Sequence, residues 1–243
     1  AVADRQGRLG VCVLNTDSSL KAGSNGRLTA SVPLPGNRVR YEWKSRYPID
    51  FYLISFAVGP YRDYSFYAKG PHISDSILVQ NYIYDDDSYF SQNKESIDRT
   101  GDFLNLYSRL FGPYPFAAEK YGHCLAPSGG GMEHQTMTTL VNFSYTLVCH
   151  ELAHQWFGDY VTCSSWQDIW VNEGFASYAE YLAYQYLSSQ SDADSWIIRT
   201  QNYVKTARDG SIYVPADRQT DEDRIFDYRL TYAKGAAIIH MIR

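Results

Sequence analysis

His150 and His154 stand four residues apart in HELAH, and eighteen residues separate His154 from Glu173. Helical residues advance about 100° each, so the two histidines lie about 40° apart on one face, one turn apart. Two imidazoles at that spacing reach a single zinc ion, and Glu151 between them reaches a water held by it. HExxH alone is short enough to arise by chance. IWVNEGFASYAEYLAY (169–184) adds a second amphipathic helix carrying Glu173. His150, His154 and Glu173 then make three protein ligands with the fourth position left for water. That is the pattern of a catalytic zinc, since a structural zinc closes all four positions. A chain that uses all three must fold one helix against the other. The expected cofactor is one Zn2+ per chain, which acidifies its water and polarises a carbonyl. Glu151 is the expected general base, passing its proton to the leaving group. Glu180 lies seven residues after Glu173 and back on the same face. It reads either as a hydrogen-bond partner for one histidine ligand or as a solvated helix carboxylate.

The rest of the chain is compatible with a globular enzyme. Its 243 residues are 44% hydrophobic, enough for a sizeable core in one large domain or one and a half. A net charge of −5 argues against nucleic acid, which calls for a basic patch. FYLISFAV (51–58) and AAIIHMI (236–242) fall far short of the roughly 20 residues a bilayer helix needs. AVADRQGRLG has no apolar core, so no signal peptide opens the chain. Cys12, Cys124, Cys149 and Cys163 form no CxxC pair and read as free core thiols rather than disulfides.

Residues 1–70 read as β. In SLKAGSNGRLTASV, Ser24-Asn25-Gly26 gives a turn between alternating runs, as in a hairpin. RVRYEWKS alternates, and DFYLISFAVG is an apolar run of the buried-strand type. QNKESIDRTGDFLNLYSRLF (92–111) carries helical spacing and is stopped by Pro113 and Pro115. KYGHCLAP (120–127) is a candidate strand running into three glycines. From residue 145 helices dominate, with Tyr145 to Trp156 free of Pro and Gly and Gly158 as a stop. A last helical run begins near Tyr232 and ends at Met241-Ile242-Arg243 with no cap, so the chain reads as a fragment cut at both ends. His72, His123 and His240 read as surface or packing groups, Asp85-Asp86-Asp87 as a solvated turn, and Cys149 as a core thiol.

HELAHQWFGDYVTCSSWQDIWVNEGFASY resembles the zinc aminopeptidases typified by aminopeptidase N, gluzincins with a thermolysin-like catalytic domain. YLISFAVGPY is similar to the last strand of that family's N-terminal β domain. The resemblance implies an α+β chain: residues 1–70 as the end of an N-terminal β-sheet domain, and 71–243 as a thermolysin-like catalytic domain with a mainly helical second half, truncated at its C-terminus. It also gives GGGMEHQT a role. The family has a Gly-x-Met-Glu-Asn stretch, an edge strand along which substrate lies, whose Glu binds the free α-amino group. The matching residues are Gly130, Gly131, Met132, Glu133 and His134. A carboxylate takes charge-assisted hydrogen bonds from an ammonium, and glycines admit a backbone. His134 departs from the family's Asn; it is bulkier and can titrate. The family's Tyr-x-Lys-Gly is matched by Tyr232-Ala233-Lys234-Gly235, implying Tyr232 as the donor to a developing oxyanion.

The resemblance therefore implies an aminopeptidase acting on peptides with a free N-terminus. An endopeptidase or other hydrolase on the same fold is the alternative, and a peptide-binding module without catalysis, or a fragment inactive in isolation, is the third. Compartment, oligomeric state and the preferred N-terminal residue are not legible in these residues.

Overall fold

The computed structural model describes residues 10–127 and 129–243. The described residues divide into two compact units, with the boundary between residues 148 and 149. The expected β character of AVADRQGRL lies outside the described residues.

The first unit carries the sheets. Strands β1 (Val11–Asp17), β2 (Lys21–Ser24), β3 (Arg27–Leu34) and β4 (Arg38–Lys44) come first. β4 pairs antiparallel with both β1 and β3. Its alternation buries Val39, Tyr41 and Trp43, as a strand half covered on one face requires. Trp43 is fully buried and its indole N–H donates to Ala22 O at 2.9 Å.

The expected hairpin at Ser24-Asn25-Gly26 does not form. β2 pairs instead with β5 (Phe56–Gly59), in a separate two-stranded sheet. Gly26 adopts φ +75°, and the Asn25 side chain binds Ser55 N and Leu53 O. The turn therefore redirects the chain onto the next sheet and does not fold it back. The same anchoring splits DFYLISFAVG. Residues Phe51–Leu53 make a single 3₁₀ turn, and Phe51, Phe56 and Val58 stay exposed. A four-residue strand in a two-stranded sheet has a face with nothing to cover it, so this apolar run is not the buried strand expected.

The larger sheet has the order β6-β7-β8-β10-β9. It comprises β6 (Tyr61–Ala68), β7 (Ile77–Tyr84), β8 (Tyr121–Leu125), β9 (Gly131–Met132) and β10 (Thr138–Leu140). β7 runs parallel to β8, and β8 parallel to β10. Parallel neighbours need a crossover, supplied between β7 and β8 by α1 (Asp87–Asp98) and α2 (Thr100–Phe111). Asp86 caps α1 by accepting from Tyr89 N, so the aspartate run starts a helix. The helical stretch thus opens earlier than residue 92 and breaks at Arg99. Phe103, Leu104, Leu106 and Tyr107 are buried on one face of α2. Each such side chain contributes about 1.5–3 kcal/mol of transfer free energy before entropy is counted. All five residues of β8 are buried, as in a strand covered on both faces.

Helix α3 (Tyr145–Ala153) begins in the first unit and ends in the second. It stops before the expected Trp156, because Gln155 N and Trp156 N bond three residues back, to Leu152 O and Ala153 O, and tighten the turn. The second unit continues with α4 (Trp170–Leu187), α5 (Gln190–Val204), a short α6 (Glu222–Ile225), a π-helical segment (Tyr228–Lys234) and α7 (Gly235–Ile242). Among the described residues no helix is long and apolar enough to cross a membrane, and Cys12, Cys124, Cys149 and Cys163 are free thiols.

Candidate metal centre

The last turn of α3 and the first turn of α4 converge. His150 Nε2 and His154 Nε2 lie 3.1 Å apart. Glu173 Oε2 lies 3.3 Å from the first and 3.2 Å from the second. All three side chains are buried or nearly so, with Glu173 only 5% exposed.

The outer ring nitrogens decide what faces inward. His154 Nδ1 is 3.0 Å from Phe157 O, a carbonyl that only accepts, so Nδ1 carries the proton. Gly158, at φ +140°, turns the chain to bring that carbonyl back, and a Cβ there would stand 3.2 Å from His154 Nδ1. His150 Nδ1 is 2.9 Å from Glu180 Oε1, so it too donates outward. Glu180 Oε2 in turn accepts from Trp196 Nε1 at 3.1 Å. Both Nε2 lone pairs and a carboxylate oxygen therefore face one another.

Three acceptors packed together in a buried place need a cation. Burial pulls His150 down, but hydrogen bonds to Glu173 and Glu180 outweigh it and hold the imidazole well above its ordinary value. Burial raises Glu173, and the His154 charge with hydrogen bonds from both rings overcomes it, holding the carboxyl below the usual carboxylate range. This donor set, two imidazole Nε2 atoms and one carboxylate, fits zinc.

Glu151 follows His150 directly and is buried. Tyr232, on the π-helical segment, stacks on His150 with ring centroids 6.1 Å apart and planes at 23°. The second unit thus brings together His150, Glu151, His154, Glu173, Glu180 and Tyr232. Sequence reading missed Trp196. It sits with Ala193 and Ile197 on the buried face of α5, and an indole N–H there requires an acceptor, which was the available signal.

Gly130 to His134 belong to the first unit. Gly131 and Met132 form β9, the terminal strand of the larger sheet, with Gly131 opposite Leu140 and Met132 opposite Thr139. Gly130 O accepts from Val141 N at 2.9 Å, and a Cβ at Gly130 would meet nothing within 4 Å. Glu133 follows the strand and is buried. His134 Nδ1 lies 2.9 Å from Thr139 Oγ1, and burial pushes its imidazole down to about 4. The ring is neutral near pH 7.

The sequence profile of the Peptidase family M1 domain matches residues 95–243. The chain is 28% identical to mouse aminopeptidase N over 226 residues, covering 83% of this chain and 23% of that protein. It is 26% identical to an aminopeptidase N of Lactobacillus delbrueckii subsp. lactis over 251 residues, covering 93% of this chain and 29% of that one. A solved M1 zinc metallopeptidase from Deinococcus radiodurans superposes with a TM-score of 0.80 at 25% identity, covering 96% of this chain and 52% of that one. A structure of a variant of the same enzyme holds a Tyr-Ser-Ala substrate. The chain thus spans about a quarter of the length of the curated relatives, and about half that of the solved structures.

Proposed function

Because this chain belongs to peptidase family M1, we propose that it forms the zinc centre of an aminopeptidase, which hydrolyses the N-terminal peptide bond of peptides. The observation that carries the reading is the convergence of His150, His154 and Glu173, whose ligand atoms all lie within 4.8 Å of one another. His150 Nε2, His154 Nε2 and Glu173 Oε2 would hold the ion. Residues 1–70 are read as the end of a β domain and 71–243 as the catalytic domain.

Bound zinc would supply Lewis acidity to a substrate carbonyl and acidify a water. The chain's own groups do the rest. Glu151 accepts the proton of the attacking water on a carboxylate oxygen and delivers it to the leaving amine. The Tyr232 hydroxyl donates to the oxygen on which negative charge develops. Glu133 accepts hydrogen bonds from the substrate ammonium, so binding registers the chain end. The open space over Gly130 and the terminal position of β9 support a substrate backbone laid alongside. His134, neutral and engaged with Thr139, helps hold the shape of this strand and carries no charge.

The test is hydrolysis of an aminoacyl chromogenic amide by the zinc-loaded protein, beside its N-acetylated counterpart. The expected result is turnover of the free amine that a chelator abolishes and zinc restores, with little on the blocked substrate. Equal cleavage of both would transfer the assignment to an endopeptidase; zinc binding without any hydrolysis would leave a binding module.

A further inference from the structure

Helix α4 and the π-helical segment with α7 touch through glycine. A Cβ on Gly235 would stand 3.0 Å from Gly174 Cα, and one on Gly174 would stand 3.0 Å from Gly235 Cα and 3.1 Å from its carbonyl carbon. Both obstacles are backbone, which cannot swing aside as a side chain can. Gly174 directly follows the ligand Glu173, and Gly235 lies three residues after Tyr232. This backbone contact therefore lies one residue from Glu173 on one side and three residues from Tyr232 on the other.

The segment is held from the other side as well. Lys234 Nζ donates to Gly210 O at 2.6 Å, and Arg229 binds Asp209 through its carbonyl at 3.1 Å and its carboxylate at 2.9 Å. Gly210 adopts φ +82° against Leu230, where a Cβ would come within 2.6 Å of Leu230 Cδ1. A π-helical turn has one more residue per hydrogen-bonded ring than an α-helix and is rare beside it. If the segment relaxed by one residue, Tyr232 would rotate by about 100° away from His150.

We propose that Gly235 and Lys234 are positioning residues that hold Tyr232 against His150, Gly235 by its backbone contact with Gly174 and Lys234 by its bond to the Gly210 carbonyl. Their place beside Tyr232 in Tyr-Ala-Lys-Gly follows from this: the tyrosine, the clamp and the contact lie within four residues. The inference rests on the reading of Tyr232 as the oxyanion donor for its catalytic consequence, but its geometric content does not.

The experiment separates the two. In the zinc-loaded protein, 3-fluorotyrosine is placed at Tyr232, and its fluorine resonance is compared in the parent, Gly235→Ala, Lys234→Met and Lys234→Arg. Zinc content is measured for each, and kcat and KM are measured on an aminoacyl amide for the unlabelled proteins. The expected result is a displaced or broadened resonance in Gly235→Ala and Lys234→Met, restored in Lys234→Arg, with zinc content unchanged. kcat should fall about 100-fold in Gly235→Ala with KM within about twofold, on the scale of losing one transition-state donor. On a Tyr232→Phe background Gly235→Ala should cost less than about threefold more. Resonances unmoved in both Gly235→Ala and Lys234→Met would overturn the proposal even if Tyr232→Phe is inactive. Should Gly235→Ala fail to fold, Lys234→Met against Lys234→Arg decides alone. Moved resonances with full activity in Tyr232→Phe would sustain the positioning role and sink the oxyanion reading.

Discussion

Glu180 Oε1 lies 2.9 Å from His150 Nδ1, two helical turns along α4 from the carboxylate that faces the same ring from the other side. One helix thus supplies both an acceptor in the metal pocket and the group that orients its neighbour. Removing such an outer partner typically costs 10–100-fold in metal affinity. Glu180→Ala is expected to weaken zinc binding by roughly that factor, read by competition with a chelator of known affinity. Unchanged affinity would return Glu180 to the status of an ordinary helix carboxylate.

Glu151 is buried beside His150 but is not counted among the three ligands. Glu151→Gln keeps size and shape and removes basicity. Zinc stoichiometry should stay at one, while kcat falls by roughly 10²–10⁴. Normal turnover in this variant would remove Glu151 as the base.

Glu133→Ala tests the amine anchor. kcat/KM for a free-amine substrate should fall by about 30-fold or more, on the scale of a lost charge-assisted hydrogen bond set. The N-acetylated analogue, which has no ammonium to bind, should change little. Equal losses on both substrates would assign Glu133 a structural role.

His134 is pushed down to about 4 by burial, so it is neutral throughout the range above pH 5. Its titration should not appear in the activity profile. His134→Asn is expected to leave the limbs of the kcat/KM–pH curve in place above pH 5. A limb that vanishes in this variant would show that His134 titrates in the working range.

Lys120 is fully buried, donating to Thr136 O at 2.7 Å and lying 5.4 Å from the Trp43 ring centroid. Burial pushes its ammonium down to about 7, opposed by Cys124 and Glu119 and aided by Arg27. The unfolded chain holds that proton to about pH 10.4, so the unfolded state binds more protons between pH 7 and that value. The penalty is full below pH 7 and fades as pH rises. Parent stability should therefore climb relative to Lys120→Met from pH 7 to 10, by up to about 4 kcal/mol. A difference between the two proteins that is flat over that range would show that the folded state keeps the lysine charged.

Periodicity and short motifs made part of this chain readable without coordinates. HELAH and Glu173 could be placed on helix faces because a helix repeats every 3.6 residues, and the buried face of α2 follows from where apolar side chains recur. The α+β character followed from the same local signals. Other features depended on residues distant in sequence. Ser24-Asn25-Gly26 looks like a hairpin turn until Asn25 is seen bound to Leu53 and Ser55. The exposure of Phe51 and Phe56 was equally hidden, because burial depends on what lies opposite a strand rather than on the strand's own hydrophobicity. Trp196 as the support for Glu180, and Gly174 against Gly235, are contacts between separate helices that no local pattern encodes. The sequence alone determined which residues can bind a metal and on which helical face each lies. Only the tertiary structure decided which ring nitrogens point inward and how close the helices come, because orientation and approach are set by packing partners far along the chain.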